Sequence, residues 1–355
     1  MLLLTNRDVM QVLTMSDCMT ALEEAFRDLA EGTAVERPRS HTYTPLGPNR
    51  YYLFKSMDGG LARRRLHAIR ITSDLIQETR SEAGWRREKL AAAPGGRWVG
   101  MVLLFSMDTL EPLALVQDGF LQRTRVGATS ALAARELVPP GVEEGGLVGS
   151  GWQAGAQVLG LAEALPGLCR LFVYSPNREH REAFCREFQS QGGLQLVPVD
   201  STAEALRGRR LWILATNALE PVVDGRWLTP DTHVNSIQGR ELDSRTLERA
   251  DRVVVRARVR PSHHAPPGFE PREIRMAQER KVRVEHKLVE LGEVLSQGFH
   301  REPGWVTLFA GGGSGGSSGL GVHFAAVTDL VYRRAREAGL GTEVDPEFFR
   351  QEFKP

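Results

Sequence analysis

The chain has 355 residues, enough to exceed the roughly 250–300 residues at which a single core stops growing, so two domains are expected. Its 45 basic and 44 acidic side chains nearly cancel, which leaves no overall field to draw it to nucleic acid or to an anionic membrane. Three cysteines, Cys18, Cys169 and Cys185, are an odd number without metal-ligand spacing; they are read as reduced packing residues of a cytoplasmic protein, with no metal. No run approaches the ~20 apolar residues of a membrane span, and the opening "MLLLTNRDVM" is too short for a signal peptide.

Residues 1–32 read as a short strand followed by helices. Ser16 and Asp17 offer capping oxygens, Met19, Leu22, Phe26 and Leu29 form an apolar stripe, and Gly32 ends it. The runs "RYYLFKSM", "HAIRITSD" and "RWVGMVLLFSMDTLEPLALVQDG" are β-branched or aromatic and punctuated by Gly, Pro and Asp, which predicts a strand-rich sheet. Between them, "QETRSEAGWRREKLAAAPGG" is basic without an apolar stripe and is expected to be a solvated loop that flanks this sheet. A small-residue helix follows, "LQRTRVGATSALAARELV", whose alanines allow another element to approach closely; it bridges the two domains.

From there the chain alternates. Strands "GLVGSG", "RLFVYS", "LQLVPVD" and "LWILAT" are separated by helical patterns at 152–165, 177–190 and 202–207, and "THVNSIQ" and "RVVVRARV" flank a short helix at 243–250. This order predicts an α/β fold: a Rossmann-type, doubly wound parallel sheet beside a strand-rich α+β domain. His263 and His264 in "PSHHAPPGFEP" are adjacent in a proline-rich turn with no acid or cysteine at ligand spacing, and are expected to be solvated surface. "GGGSGGSSGLG", Gly311–Gly321, reads as a mobile loop before a last helix that returns to the first domain.

In "GGLVGSGWQAGAQVLGLAEAL" the chemistry becomes specific. A pyrophosphate is best met by unpaired backbone N–H groups at a helix N-terminus, and side chains there would hold the phosphates off. Gly149 is expected to turn the chain after Leu147–Val148, Gly151 to admit the phosphate, and Ala154 to fill the third small position; Ser150, Trp152 and Gln153 complete this part of the cofactor site. At the end of the next strand an acid would bind the adenosine ribose hydroxyls, but the chain has Ser175. Asn177, Arg178 and Arg181 supply donors and positive charge nearby, so NADP is expected in preference to NAD; the alternative is that the two arginines merely solubilise a helix face.

Together these residues resemble the ornithine cyclodeaminase and mu-crystallin family. The resemblance runs from "LLLTNRDVMQVLTMSDCMTALEEAF" through "RVGATSALAAR", "LVGSGWQA" and "ATNALEPVVDGRWLTPDTHVNSI" to "LGEVLSQG" and "WVTLF". It implies a homodimer formed through the strand-rich domain, an NAD(P)-binding Rossmann domain, and a substrate cleft between them. Residues 1–125, completed by a helix within 320–355, would form the substrate domain, and 126–319 the nucleotide domain. Thr216, Asn217 and Ile237 would join the cofactor site. Arg39 and Arg125 match family arginines that grip a substrate carboxylate, a task suited to a bidentate guanidinium. Arg70 stands where the family has a lysine; it stays charged and can only bind or polarise. Lys55 stands where the family commonly has an uncharged residue, and is read either as the ammonium of the site or as a surface lysine.

The chain also departs from the pattern. "HVNSIQG" runs directly into "RELDSRTLERAD", so a loop that carries a family aspartate is shortened and the aspartate has no counterpart. Glu241 or Asp243 could substitute for it, although both more simply cap the helix at 243–250, and His323 lies near the place of a missing acidic pair. The expected activity is therefore an NAD(P)-dependent oxidoreductase on the C–N bond of a small carboxylate-bearing amino or imino acid, with two alternatives. One is a cyclodeaminase-type lyase, which the lost aspartate disfavours; the other is a non-catalytic binder of NADPH and a small ligand.

Overall fold

The computed structural model describes residues 1–82, 84–272, 274–275, 282–310 and 319–353. The glycine-rich run expected to be a mobile loop lies, over residues 311–318, outside the described residues.

The first sheet grows from the amino-terminal third. Strand β1 (Leu2–Leu4) leads into helices α1 (Asn6–Val12) and α2 (Met15–Ala30), followed by β2 (Ala34–Gly47), β3 (Arg50–Leu61), β4 (Leu66–Ser81), β5 (Gly84–Leu90), β6 (Val99–Ser106) and β7 (Pro112–Gln117). The cap of α2 is Thr14, whose hydroxyl accepts from the Asp17 amide. Ser16 and Asp17 are thus already helical, and Asp17 serves in the first turn. The basic segment expected to be a solvated loop is one only over residues 91–96; before that it is the end of β4 and all of β5, an antiparallel pair from Leu75↔Leu90 to Ser81↔Gly84. Its polar residues alternate across the pair, so each face is charged and the apolar period that marks a half-buried strand is absent.

Helix α3 (Asp118–Leu137) then carries the chain into the second sheet and spans residues 125 and 126 without a break. It packs on α4 (Trp152–Ala164) through glycine: a Cβ at Gly127 would collide with the Ala156 carbonyl, and one at Gly160 would sit 2.8 Å from the Gly127 carbonyl oxygen. The second sheet comprises β8 (Glu144–Val148), β9 (Arg170–Tyr174), β10 (Gln195–Pro198), β11 (Leu211–Leu214), β12 (His233–Ser236), β13 (Arg252–Val255), β15 (Leu288–Glu290) and β16 (Thr307–Ala310). Its order is β10-β9-β8-β11-β12-β16-β13-β15, and every pairing is parallel. Helices α5 (Arg178–Gly192), α6 (Thr202–Leu206), α7 (Ser244–Arg249) and α8 (Leu291–Gln297) complete this doubly wound unit.

Two returns tie the sheets together. Residues Ser262–His264, exposed at the surface as expected, are nevertheless ordered as β14 and pair in parallel with Ser40–Thr42 at the edge of the first sheet. His263 there shares a 2.9 Å hydrogen bond with the Tyr43 hydroxyl. Helix α9 (Gly321–Glu337) lies across β3 and β4 so closely that a Cβ at Gly321 would overlap the Asp58 backbone; β17 (Thr342–Glu343) then pairs with β1. One apolar core joins α2, α3 and α9 to Val254 and Phe309 of the second sheet. Cys18 and Cys185 are buried as expected, whereas Cys169 is exposed in the turn before β9. Among the described residues no helix is long and apolar enough to cross a membrane.

Candidate active site

Because all strands of the second sheet are parallel, their carboxyl ends open on one side, where α/β folds bind ligands. At the end of β8 the chain turns at Gly149 with φ of 116°, a conformation that L side chains rarely adopt. A Cβ there would also strike the Ala215 carbonyl after β11. Gly151 differs: its backbone is extended, it precedes α4 without any side-chain cap, and a Cβ would meet nothing within 4 Å. The amino end of α4 therefore faces open space with its first-turn N–H groups uncapped by any side chain. Ala154 is buried behind it, the Gln153 side chain is half-buried, and Trp152 stands exposed with the Arg123 guanidinium stacked 3.9 Å from its ring centre. These residues fit a diphosphate: an open helix terminus beside a turn that only glycine makes.

Around this cradle the other expected cofactor residues are drawn together. The Ser150 and Ser175 hydroxyls lie 2.8 Å apart, joining the glycine turn to the end of β9. Asn177 caps α5, its side-chain oxygen accepting from the His180 amide at 2.9 Å. Arg178 is exposed and paired with Glu182 at 2.8 Å. Arg181 is buried and donates to the Ser175 carbonyl at 2.9 Å and to Asp200 at 2.6 Å, so it neither solubilises a helix face nor is free to meet a phosphate.

Glu241 corrects an expectation more fully. It is buried and does not cap α7; Asp243 does, accepting from the Thr246 amide at 2.9 Å. Instead the Glu241 carboxylate accepts from the Thr216 amide at 2.5 Å, the Thr216 and Ser236 hydroxyls at 2.8 Å each, and the Gln238 amide at 3.0 Å. Burial pushes its carboxyl upward in pKa against the pull of these donors. It binds the ends of β11 and β12 to each other and so positions Thr216 and Ile237. Asn217 is held from the other sheet, its carbonyl accepting from the Arg87 amide of β5 at 3.2 Å. The hairpin read as loop thus closes over the turn after β11.

The first sheet presents cations to the same side. Pairing sets Lys55 of β3 opposite His41 of β2 and Thr72 of β4, and Met57 opposite Arg70. Lys55 is buried, which removes the surface alternative, and its ammonium sits 2.7 Å from Asp74; Lys89 reaches the other oxygen at 3.0 Å. Burial, followed by Lys89, acts to lower the Lys55 pKa, and Asp74 opposes them. Arg70 is anchored through Nε to Asp118 at 2.6 Å, at the first residue of α3. Gly100 makes room for that carboxylate, since a Cβ would overlap it.

Arg125, midway along α3, is 2% exposed, and its Nε and Nη1 have no hydrogen-bond partner among the described residues. Its guanidinium lies 4.9 Å from the Phe324 ring centre, with that of Arg70 5.0 Å from the same ring. Burial first, then Arg256, Arg70 and, more weakly, Arg39 as like charges, push its pKa well below the usual value, with Cys18 a small opposing influence. Arg39 is half-buried at a bulge in β2 between Arg37 and Ser40, close enough to act on both Arg125 and Arg256.

Asp118 and Arg256, like Asp74 and Lys89 beside Lys55, lie outside the set expected from sequence. Asp118 carries only the signal of an acid opening a helix. Arg256 directly follows β13, and a charged residue closing an apolar parallel strand is the signal that marks it. Among the described residues no His, Cys, Asp and Glu group could hold a metal ion.

The fold has counterparts among known proteins. Residues 88–339 match the ornithine cyclodeaminase/mu-crystallin family. Alanine dehydrogenase of Archaeoglobus fulgidus is 26% identical over 98% of this chain and 99% of its own. The Δ1-pyrroline-2-carboxylate reductase of Bacillus cereus is 26% identical over 69% of this chain and 74% of its own. Among solved structures, Thermococcus litoralis Δ1-pyrroline-2-carboxylate reductase, in complex with NADH and L-proline, superimposes with a TM-score of 0.75 at 25% identity, covering 97% of this chain and 100% of that one. The chain belongs to the ornithine cyclodeaminase/mu-crystallin family.

Proposed function

We propose that this protein is an NAD(P)-dependent oxidoreductase acting on the C–N bond of a small carboxylate-bearing imino or amino acid. The observation that carries this reading is Arg125: a buried guanidinium on α3 with two nitrogens unpartnered among the described residues, acting on Arg256 at the carboxyl end of β13 in the sheet that also carries the glycine turn. A buried cation of this kind costs several kcal/mol unless an anion meets it, and a substrate carboxylate is such an anion. Arg125 and Arg39 would hold the carboxylate, and Arg70, fixed on Asp118, would polarise the reacting end. Lys55, whose Nζ faces Asp74, is the side chain suited to hold or deliver the proton at the substrate nitrogen. When bound, the nicotinamide supplies or accepts the hydride at the adjoining carbon. The chain's own contribution is placement and a fixed positive field.

Steady consumption of NADPH with cyclic ketimine acids, or with keto acids plus amines, is the expected result. Ammonia release from ornithine without net cofactor change would establish a cyclodeaminase instead, and saturable NADPH binding without turnover on either panel would establish a non-catalytic binder.

NADP is the preferred cofactor in this reading, with NAD as the alternative. The end of β9 offers Ser175 where an acid would repel a 2′-phosphate, with the exposed Arg178 at the first position of α5. In a fluorescence titration NADPH is expected to bind at least about tenfold more tightly than NADH, and Ser175→Asp to reverse the order. Equal affinities in the parent protein would refute the preference.

The same reading makes residues 1–125 with α9 the substrate and dimer unit, and 126–319 the nucleotide unit. The outer face of the first sheet supports a homodimer, since Tyr52, Phe54, Ile69, Ile71 and Leu75 are partly exposed and Phe54 reaches 37%. Light scattering is expected to give twice the chain mass, and Phe54→Glu to shift it toward one chain; a monomeric parent protein would end this reading. Three free thiols suit a cytoplasmic location.

A further inference from the structure

Arg256 enters the cleft from the second sheet, opposite the cations of the first. It is 1% exposed, its guanidinium is stacked 4.6 Å from the Phe309 ring centre, and its Nε and Nη1 have no partner among the described residues. It acts on Arg125 as a like charge, Arg39 acts on both, and the buried His323, with both ring nitrogens unpartnered among the described residues, feels Arg125 and Arg256 together. Two carboxylates near this group are already engaged. Asp118 holds Arg70, and the oxygens of Glu36 accept from the Gly321 and Val322 amides at 2.9 and 3.1 Å. Two buried guanidiniums, one on α3 and one directly after β13, therefore act on each other as like charges, and neither Nε nor Nη1 of either has a partner among the described residues. Each such ion costs several kcal/mol to bury, and their mutual repulsion adds to that cost.

A single carboxylate can accept a bidentate pair from Arg125, but it cannot also satisfy Arg256. We propose that Arg256 is a specificity-determining residue that binds a second anionic group, so that the substrate of this cleft is an imino or amino acid carrying at least two carboxylates. This rests on the reading of the cleft as a C–N oxidoreductase site. The first carboxylate goes to Arg125 and Arg39, and the second, on the side chain, goes to Arg256. His323, neutral in these surroundings, can donate a hydrogen bond to either.

The test is calorimetry on the full chain saturated with NADPH. The probes are the dicarboxylates from malonate to adipate, each against the monocarboxylate of equal length. At least one dicarboxylate is expected to bind about tenfold or more tightly than its partner. Arg256→Met should erase that ratio while leaving monocarboxylate affinity within about twofold, and its apo melting temperature should equal or exceed that of the parent because a repelled buried charge has gone. Arg256→Lys, which keeps the charge without the fork, should retain a reduced preference.

Equal affinities for mono- and dicarboxylates in the parent protein would overturn the proposal. So would an unchanged ratio in Arg256→Met, or a large fall in its melting temperature, which would make Arg256 structural. Turnover of a monocarboxylate ketimine with equal affinities refutes this inference alone. Dicarboxylate binding without turnover of any C=N substrate refutes the proposed reaction and leaves the subsite standing.

Discussion

Arg125→Met is expected to abolish substrate recognition while leaving cofactor affinity and fold intact. Truncating one side of a buried, hydrogen-bonded charge pair typically costs about 2–5 kcal/mol, which corresponds to roughly 30- to 5,000-fold in kcat/KM. The upper part of that range is expected here, because Arg125 is fully enclosed and lacks competing protein partners among the described residues. Melting temperature should hold or rise, since the ligand-free protein loses an uncompensated charge between Arg70 and Arg256 and gains an apolar side chain against Phe324. Arg125→Lys should recover little, because an ammonium cannot form the two parallel bonds. Titration of NADPH, steady-state kinetics and thermal unfolding on the same preparation check all three statements. Loss of NADPH binding in a folded variant would contradict the placement of the carboxylate site.

The second large effect concerns Gly151. Gly151→Asp should fold as well as the parent and fail to bind either pyridine nucleotide. The backbone there is extended and a Cβ meets nothing within 4 Å, so the side chain is accommodated without strain. Asp is a good N-cap, worth a few tenths of a kcal/mol relative to Gly, so apo stability should be unchanged or slightly higher. Its carboxylate, however, would occupy the helix terminus that a diphosphate needs, and like charges brought together at a binding surface cost several kcal/mol. NADPH affinity should fall by about 100-fold or more. Gly149→Ala is the contrast: with φ of 116° and the Ala215 carbonyl in the way, it should lose stability as well as binding. If Gly151→Asp binds NADPH like the parent, the cradle is misplaced.

The contrast between these glycines shows what a sequence can and cannot convey. "GLVGSGWQA" identifies a strand, a turn and a helix start, because each residue's preference is local. That Gly149 is required by the backbone around it while Gly151 meets nothing depends on where Ala215 lies, 66 residues after Gly149 along the chain. Glu241 is a similar case. Beside Asp243 it reads as a helix cap, yet its four donors come from the ends of two strands that meet only in the folded sheet. The hairpin of β4 and β5 escaped the period-2 signal because both of its faces are polar.

Composition, the βαβ alternation and the glycine cluster were enough to determine a parallel nucleotide-binding sheet beside a strand-rich partner, since hydrophobic period, helix starts and turn residues act over a few positions. Which cations share a cleft was decided only by tertiary structure. Asp118 claims Arg70, Asp74 claims Lys55, and Arg125 of α3 and Arg256 after β13 are left to act on each other as like charges. Coulomb interactions depend on distance in space and on burial, and neither is encoded in the spacing of residues along the chain.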